Sequence, residues 1–195
     1  MGVARENKSG SILELSDLIS KISAAVRLGE TSKITNKIKC DLEDLIKNGH
    51  LALPDEVKVP QADYYARRLL HRDEKLGFTM VAMTWGPGQG TPIHDHSGIW
   101  CVEGVIEGRM SVTSYHVKEK AGELYKFEEV DRVTAGVGGA GALIPPYEHH
   151  LLKNVLNDKT SVTLHIYGGE INQCSAFVQD KNDWYRREMK NLSYT

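Results

Sequence analysis

The chain has 195 residues, with 24 lysines and arginines against 26 aspartates and glutamates and a formal net charge of −2. That length suits one domain with a sizeable core and a small helical extension. The near-neutral balance offers no basic surface for nucleic acid or an anionic membrane. No apolar run reaches transmembrane length, and residues 1–8 are too polar for a secretory leader, so no membrane association is expected. Cys40, Cys101 and Cys174 are odd in number and widely spaced. They make no disulfide framework, which fits a reducing cytoplasm.

Residues 11–50 read as helical. Ser11 and Glu14 can form a capping box, and Leu15, Leu18, Ile19, Ile22 and Val26 then recur at helical spacing. Leu28-Gly29 interrupts the pattern. Thr31 or Ser32 can open a second helix that carries Ile34, Ile38, Leu42, Leu45 and Ile46 on one side and stops at Asn48-Gly49. Both stripes are read as core-packing faces.

From about residue 60 the character changes. Short β-rich runs occupy 78–84, 99–106, 110–117, 124–130, 141–144, 161–167 and 174–178. Turn signals such as Gly86-Pro87-Gly88, Glu107-Gly108, residues 136–139 and Pro145-Pro146 fall between them. Many short, evenly spaced strands predict a mainly β sandwich or barrel. Residues 1–58 are expected as a helical region packed on the barrel, and 59–195 as the barrel with a C-terminal tail. The tail, 180–195, is charged and aromatic, a composition compatible with wrapping the barrel or with fraying.

Chemistry concentrates in two stretches. His94-Asp95-His96 places two imidazoles at i and i+2, which on a strand share one face. A third histidine from a distant strand can complete one side of a metal's coordination sphere and leave the other open, as a catalytic metal requires. His150 is preferred over His149 for that third place because Asn154 follows it by four residues. The spacing runs Gly88, five residues, His94-Asp95-His96, Cys101, six residues, Gly108; then Gly139, five residues, Pro145, His150 and Asn154. This resembles the two motifs of the cupin superfamily, which implies a jelly-roll β-barrel with a short N-terminal helical region. Cys101 stands where many cupins carry a glutamate ligand. Glu103 lies two residues past that place and is not assigned to the metal. Asp95 points to the opposite face by strand alternation and is a poor ligand candidate. Three neutral imidazoles leave a divalent metal its full charge, which favours an anionic ligand such as a thiolate.

Thr163, His165 and Tyr167 alternate on one strand, facing one side, while Val162, Leu164 and Ile166 face the other. A hydroxyl, an imidazole and a phenol in a row can form a hydrogen-bonded relay.

Taken in order, Tyr65-Ala66-Arg67, Trp85-Gly86-Pro87-Gly88, Ile93-His94-Asp95-His96, Cys101, His150 with Asn154, and His165-Ile166-Tyr167 through Cys174 resemble the thiol dioxygenases over residues 64–178. The resemblance implies iron(II) on His94, His96 and His150, with dioxygen as co-substrate and both oxygen atoms passing to a thiol sulfur. It implies Arg67 as the substrate-carboxylate partner, with Tyr65 and Trp85 beside it, and Tyr167 as the active-site tyrosine supported by His165 and Thr163. It makes a Cys101–Tyr167 thioether available, as in some members. Thr163 stands where the family usually has serine, and keeps the hydroxyl. Gly168-Gly169 and Trp85-Gly86-Pro87-Gly88 are similar to bacterial mercaptopropionate dioxygenases, whereas Arg67 and Cys101 favour cysteine. L-cysteine, oxidised to its sulfinate, is therefore the expected substrate and 3-mercaptopropionate the alternative. A different metal-dependent cupin enzyme and a non-catalytic cupin are the rival classes. The protein is expected to work as a cytoplasmic monomer on a small thiol.

Overall fold

The computed structural model describes residues 15–195, so the cap expected from Ser11 and Glu14 lies outside the described residues. Two helices come first, α1 (Leu15–Val26) and α2 (Thr31–Lys47), followed by a single 3₁₀ turn at Asp55–Lys58. α2 opens at Thr31, one of the two starts read in the sequence. Glu30 holds the cap position without a side-chain cap bond, and the Ser32 hydroxyl donates to its carboxylate at 2.5 Å. At the other end Asn48-Gly49 closes the helix, with the amides of Gly49 and His50 returning to the carbonyls of Ile46 and Leu45.

Eleven strands follow among the described residues: β1 (Ala66–Asp73), β2 (Phe78–Trp85), β3 (Ile93–His94), β4 (Cys101–Glu107), β5 (Arg109–Ala121), β6 (Leu124–Gly136), β7 (Ala140–Leu143), β8 (His150–Asn154), β9 (Ser161–Tyr167), β10 (Gln173–Gln179) and β11 (Tyr185–Asn191). One sheet runs β1-β2-β9-β4-β7. The other, β10-β11-β6-β5-β8-β3, closes on itself, and all pairings are antiparallel. The chain is a mainly β cupin with N-terminal helices.

The central strands β2, β9 and β4 of the five-stranded sheet are buried on both faces, and alternation sorts their side chains. Phe78, Met80 and Ala82 of β2, with Val102, Ile106, Val162, Leu164 and Ile166, meet Leu18, Ile22, Ile38, Leu42 and Ile46 of the helices. Val81, Met83, Trp85, Cys101, Val105 and Tyr167 turn to the barrel interior with Met110 and Leu152. Each large apolar side chain so buried contributes roughly 1.5–3 kcal/mol. Gly108 has φ +79°, and a Cβ there would overlap the Ser161 side chain, so the β4–β5 turn admits only glycine.

Four strands differ from the β-runs read in the sequence. β1 and β11 carry mostly charged residues, Arg67, Arg68, His71, Arg72 and Asp73 in one and Arg186, Arg187, Glu188 and Lys190 in the other. β1 is a sheet-edge strand, and main-chain pairing on β2 outweighs its composition. The tail wraps rather than frays, because β11 pairs along the whole of β10. β8 has only five residues behind a proline-rich loop. β3 stops at His94, so His96 does not sit on a strand with it as expected. The chain turns after His94, where the Asp95 carboxylate accepts the amides of Ser97 and Ser175. No helix among the described residues is long and apolar enough to cross a membrane.

Candidate active site

Three imidazoles meet inside the barrel. His94 ends β3, His96 follows in the turn, and His150 opens β8 opposite His94 as its strand partner. A ring nitrogen from each lies within 4.8 Å of the others. Ring centroids are 4.3 Å apart for His94 and His150, 5.0 Å for His96 and His150, and 5.4 Å for His94 and His96. The turn after His94 brings both imidazoles together although only His94 is on a strand, and Asp95 between them also lines the neighbouring cavity while its carboxylate is tied to the Ser97 and Ser175 amides.

The donor chemistry fits a cation. His150 Nδ1 donates to the Glu148 carbonyl at 2.8 Å, and His94 Nδ1 faces the Pro92 carbonyl at 3.2 Å. Those contacts put the protons on the outer nitrogens and leave lone pairs for the centre. His150 Nε2 is buried with no hydrogen-bond partner. Burial holds all three imidazoles below the ordinary histidine range, His96 and His150 strongly, and so keeps them in the neutral form a metal needs. His149 is elsewhere, its ring against Phe127 and Phe177. Asn154 is not near the imidazoles as a ligand. Its buried amide donates to the carbonyls of Trp85, Gly86 and Lys159 and fixes the base of β8.

A small cavity of about 20 Å³ adjoins His94 and His96 and is lined by Tyr65, Arg67, Trp85, His165, Tyr167 and Cys174 among others. Arg67 is 5% exposed. One guanidinium nitrogen donates to the Ser193 carbonyl at 3.2 Å, while Nε and Nη2 have no partner. A buried guanidinium with two unpartnered nitrogens is a ready anion site. Strand alternation sends Arg68 the other way, where it binds the carbonyls of Val57 and Val59. Tyr65 stacks on Trp85 with centroids 4.4 Å apart. Sequence reasoning missed Leu192 and Tyr194. The wrapped tail brings Leu192 into the cavity lining and the Tyr194 ring 5.2 Å from the Arg67 guanidinium.

β9 carries the expected row. The Trp85 indole donates to Thr163 Oγ1 at 2.9 Å, Thr163 Oγ1 contacts His165 Nε2 at 2.8 Å, and His165 Nδ1 lies 3.5 Å from the Tyr167 hydroxyl. Burial, then the charge of Arg67, pushes His165 down to about 3, so it is neutral. Burial also raises the Tyr167 phenol and the Cys101 thiol well above their ordinary values. Cys101 sits directly across from Tyr167 in the β4–β9 register, its sulfur 4.0 Å from His165 Nδ1.

Glu103, set aside in the sequence, is buried within this row. Its Oε2 lies 3.4 Å from His165 Nδ1 and 3.9 Å from His150 Nε2, and burial raises its carboxyl to about 8. It also lines a larger cavity of about 280 Å³ walled by Val105, Met110, Val112, Val133 and Leu143. That space holds no histidine or arginine, so volume does not locate the chemistry here.

Gly168-Gly169 has a packing cause. A Cβ at Gly168 would overlap the Trp100 indole, and Gly169 has φ +155° with its carbonyl accepting the Thr79 hydroxyl at 2.8 Å. Neither glycine lines the site cavity.

A barrel with a three-histidine cluster and an inward arginine defines a cupin with a candidate metal centre. Comparison with known proteins makes the assignment narrower. The family model for cysteine dioxygenase type I matches residues 58–180, and the chain belongs to that family. Cysteine dioxygenase type 1 of Rattus norvegicus is 28% identical over 117 residues, and that of Homo sapiens 28% over 120; each match covers 59% of this chain and 56% of the relative. The chain thus spans little more than half the length of these curated relatives. Among solved structures, the Schizosaccharomyces pombe Cnp3 cupin domain is similar, with a TM-score of 0.42 and 11% identity over 54% of this chain and 61% of that one.

Proposed function

We propose that this protein is an iron(II)-dependent thiol dioxygenase that converts L-cysteine to cysteine sulfinate. The observation that carries the reading is Arg67: a buried guanidinium with two unpartnered nitrogens, lining the same cavity as His94 and His96. A cation on three neutral histidines suits a thiolate, and the arginine suits a carboxylate held a fixed distance away. Together they describe a small mercapto-carboxylate.

His94, His96 and His150 would hold the metal. Iron(II) there would supply open coordination positions and the redox activity that dioxygen chemistry requires. Arg67 binds and orients the carboxylate, and the Ser193 carbonyl holds the guanidinium in place. Tyr65 stacked on Trp85 walls the cavity and excludes water. Tyr167, its phenol kept protonated by burial, can donate a hydrogen bond to the reacting groups, with His165 and Thr163 behind it. The stoichiometry closes without another reductant: sulfur loses four electrons, dioxygen gains them, and both oxygen atoms end on sulfur.

3-Mercaptopropionate could use the same arginine. The Gly168-Gly169 pair that favours it is accounted for by Trp100, so L-cysteine remains the first assignment. The reading carries with it a cytoplasmic monomer acting in cysteine catabolism, with a Cys101–Tyr167 thioether. Oxygen uptake with a panel of small thiols tests it. Uptake with L-cysteine and formation of its sulfinate are expected, and a metal-loaded protein that oxidises no thiol would contradict it.

A further inference from the structure

The proton on His165 can be placed by elimination. The Trp85 indole nitrogen is a donor only, and it occupies one lone pair of Thr163 Oγ1 at 2.9 Å. The buried Thr163 hydroxyl must place its own proton, and His165 Nε2 at 2.8 Å is the acceptor beside it. Nε2 therefore accepts, and the neutral ring carries its hydrogen on Nδ1. Three groups surround that nitrogen: the Tyr167 hydroxyl at 3.5 Å and Cys101 Sγ at 4.0 Å in hydrogen-bonding positions, and Glu103 Oε2 at 3.4 Å, within reach but not aligned to accept in this structure.

Glu103 has the greater need of it. Its Oε2 is buried without a hydrogen-bond partner, and a buried carboxyl oxygen left unpaired is costly. Its other nitrogen neighbour, His150 Nε2 at 3.9 Å, cannot donate, because the proton of that ring is committed to the Glu148 carbonyl through Nδ1. The phenol of Tyr167, by contrast, can satisfy itself by donating.

We propose that Glu103 is a positioning residue that takes the Nδ1–H of His165 and thereby leaves the Tyr167 hydroxyl free to donate into the site cavity. The catalytic half of this statement rests on the proposed dioxygenase function; the hydrogen bond itself does not. Either form of the carboxyl offers an acceptor oxygen, so the contact does not depend on charge. Glu103 then acts on the chemistry through His165 without touching substrate.

The test has a spectroscopic arm and a kinetic arm. Nitrogen-15 NMR of the full chain, loaded with zinc as a diamagnetic metal and assigned with His165→Gln, reports which ring nitrogen of His165 carries hydrogen. An Nδ1–H ring is expected in the wild type, in Glu103→Gln and in Tyr167→Phe, with a clear shift of the Nδ1 resonance in Glu103→Met. An Nε2–H ring in the wild type would overturn the proposal, and so would a Tyr167→Phe shift as large as that of Glu103→Met. If Glu103→Met does not fold, a clear Nδ1 shift in Tyr167→Phe relative to the wild type overturns the proposal by itself. In thiol oxidation, Glu103→Met should lower kcat about tenfold with KM nearly unchanged, and Glu103→Gln should restore most of it. Equal losses in both variants would overturn the positioning role. A protein that oxidises no thiol but shows the expected NMR pattern would overturn the proposed function alone.

Discussion

Cys101 and Tyr167 are direct partners across β4 and β9, and the Tyr167 ring lies edge-on to that of His96 with centroids 5.6 Å apart. The register brings a thiol beside a phenol ring at the place where many cupins have a glutamate ligand. Oxidative coupling of the two, with dioxygen taking up the two hydrogens, would leave the chain otherwise intact. The expected result is a small mass loss on the whole protein and a faster-running band in a denaturing gel, both increasing during turnover. Both should vanish in Cys101→Ser and in Tyr167→Phe. An unchanged mass after prolonged turnover would mean that Cys101 is only a buried thiol, a common fate of core cysteines.

Metal content separates the two neighbouring histidines. His94→Ala, His96→Ala and His150→Ala should each lose most of the bound iron, because each removes one of three converging nitrogens. His149→Ala should keep it, since that ring packs on Phe127 and Phe177. Elemental analysis of freshly purified variants gives the answer. Loss of iron from His149→Ala with retention in His150→Ala would reverse the assignment.

Gly168→Ala should destabilise the protein by about 1–3 kcal/mol, the usual range for forcing extra volume into a packed site. The added methyl meets the Trp100 indole. Thermal unfolding should show the loss, and Trp100→Phe in the same chain should recover part of it. The ratio of cysteine to mercaptopropionate oxidation should not move. A changed ratio at unchanged stability would return these glycines to substrate selection.

Much of this was readable from spacing, because period-two alternation decides which side chains share a face. Thr163, His165 and Tyr167 meet inside the barrel while Val162, Leu164 and Ile166 pack under the helices. Other parts had no local signal. β11 is too charged to read as a strand and is held by pairing along β10, so the approach of Leu192 and Tyr194 to Arg67 depends on tertiary structure. Glu103 was discounted because motif spacing speaks only of the metal. Its contact with His165 arises from the lateral register of β4 and β9, in which the two residues are partners.

The metal-free protein should have a stability maximum near neutral pH. Burial depresses His94, His96, His150 and His165 in the folded state, so their contribution is present above about pH 6.5 and is lost as pH falls below it. Burial raises Glu103 from 4.5 to about 8, so its contribution is full below 4.5 and is lost as pH rises through about 8. The melting temperature should therefore climb to about pH 6.5 and then decline toward about pH 8. Glu103→Gln should abolish the decline. A wild-type curve that stays level or keeps climbing to about pH 8 would contradict this account of Glu103.

Oxygen consumption with L-cysteine and with 3-mercaptopropionate, for the wild type, Arg67→Gln and Arg68→Gln, tests the central claim most directly. Arg67 is the inward member of the pair, and Arg68 is tied to main-chain carbonyls outside the cavity. The wild type should prefer L-cysteine in kcat/KM. Arg67→Gln should cost cysteine turnover roughly 10- to 100-fold, as expected for losing a hydrogen bond to a charged group worth ~1.5–3 kcal/mol, and should cost 3-mercaptopropionate less. Arg68→Gln should leave both nearly unchanged. A wild-type preference for 3-mercaptopropionate would move the substrate assignment, and unchanged kinetics in Arg67→Gln would remove the arginine from the site.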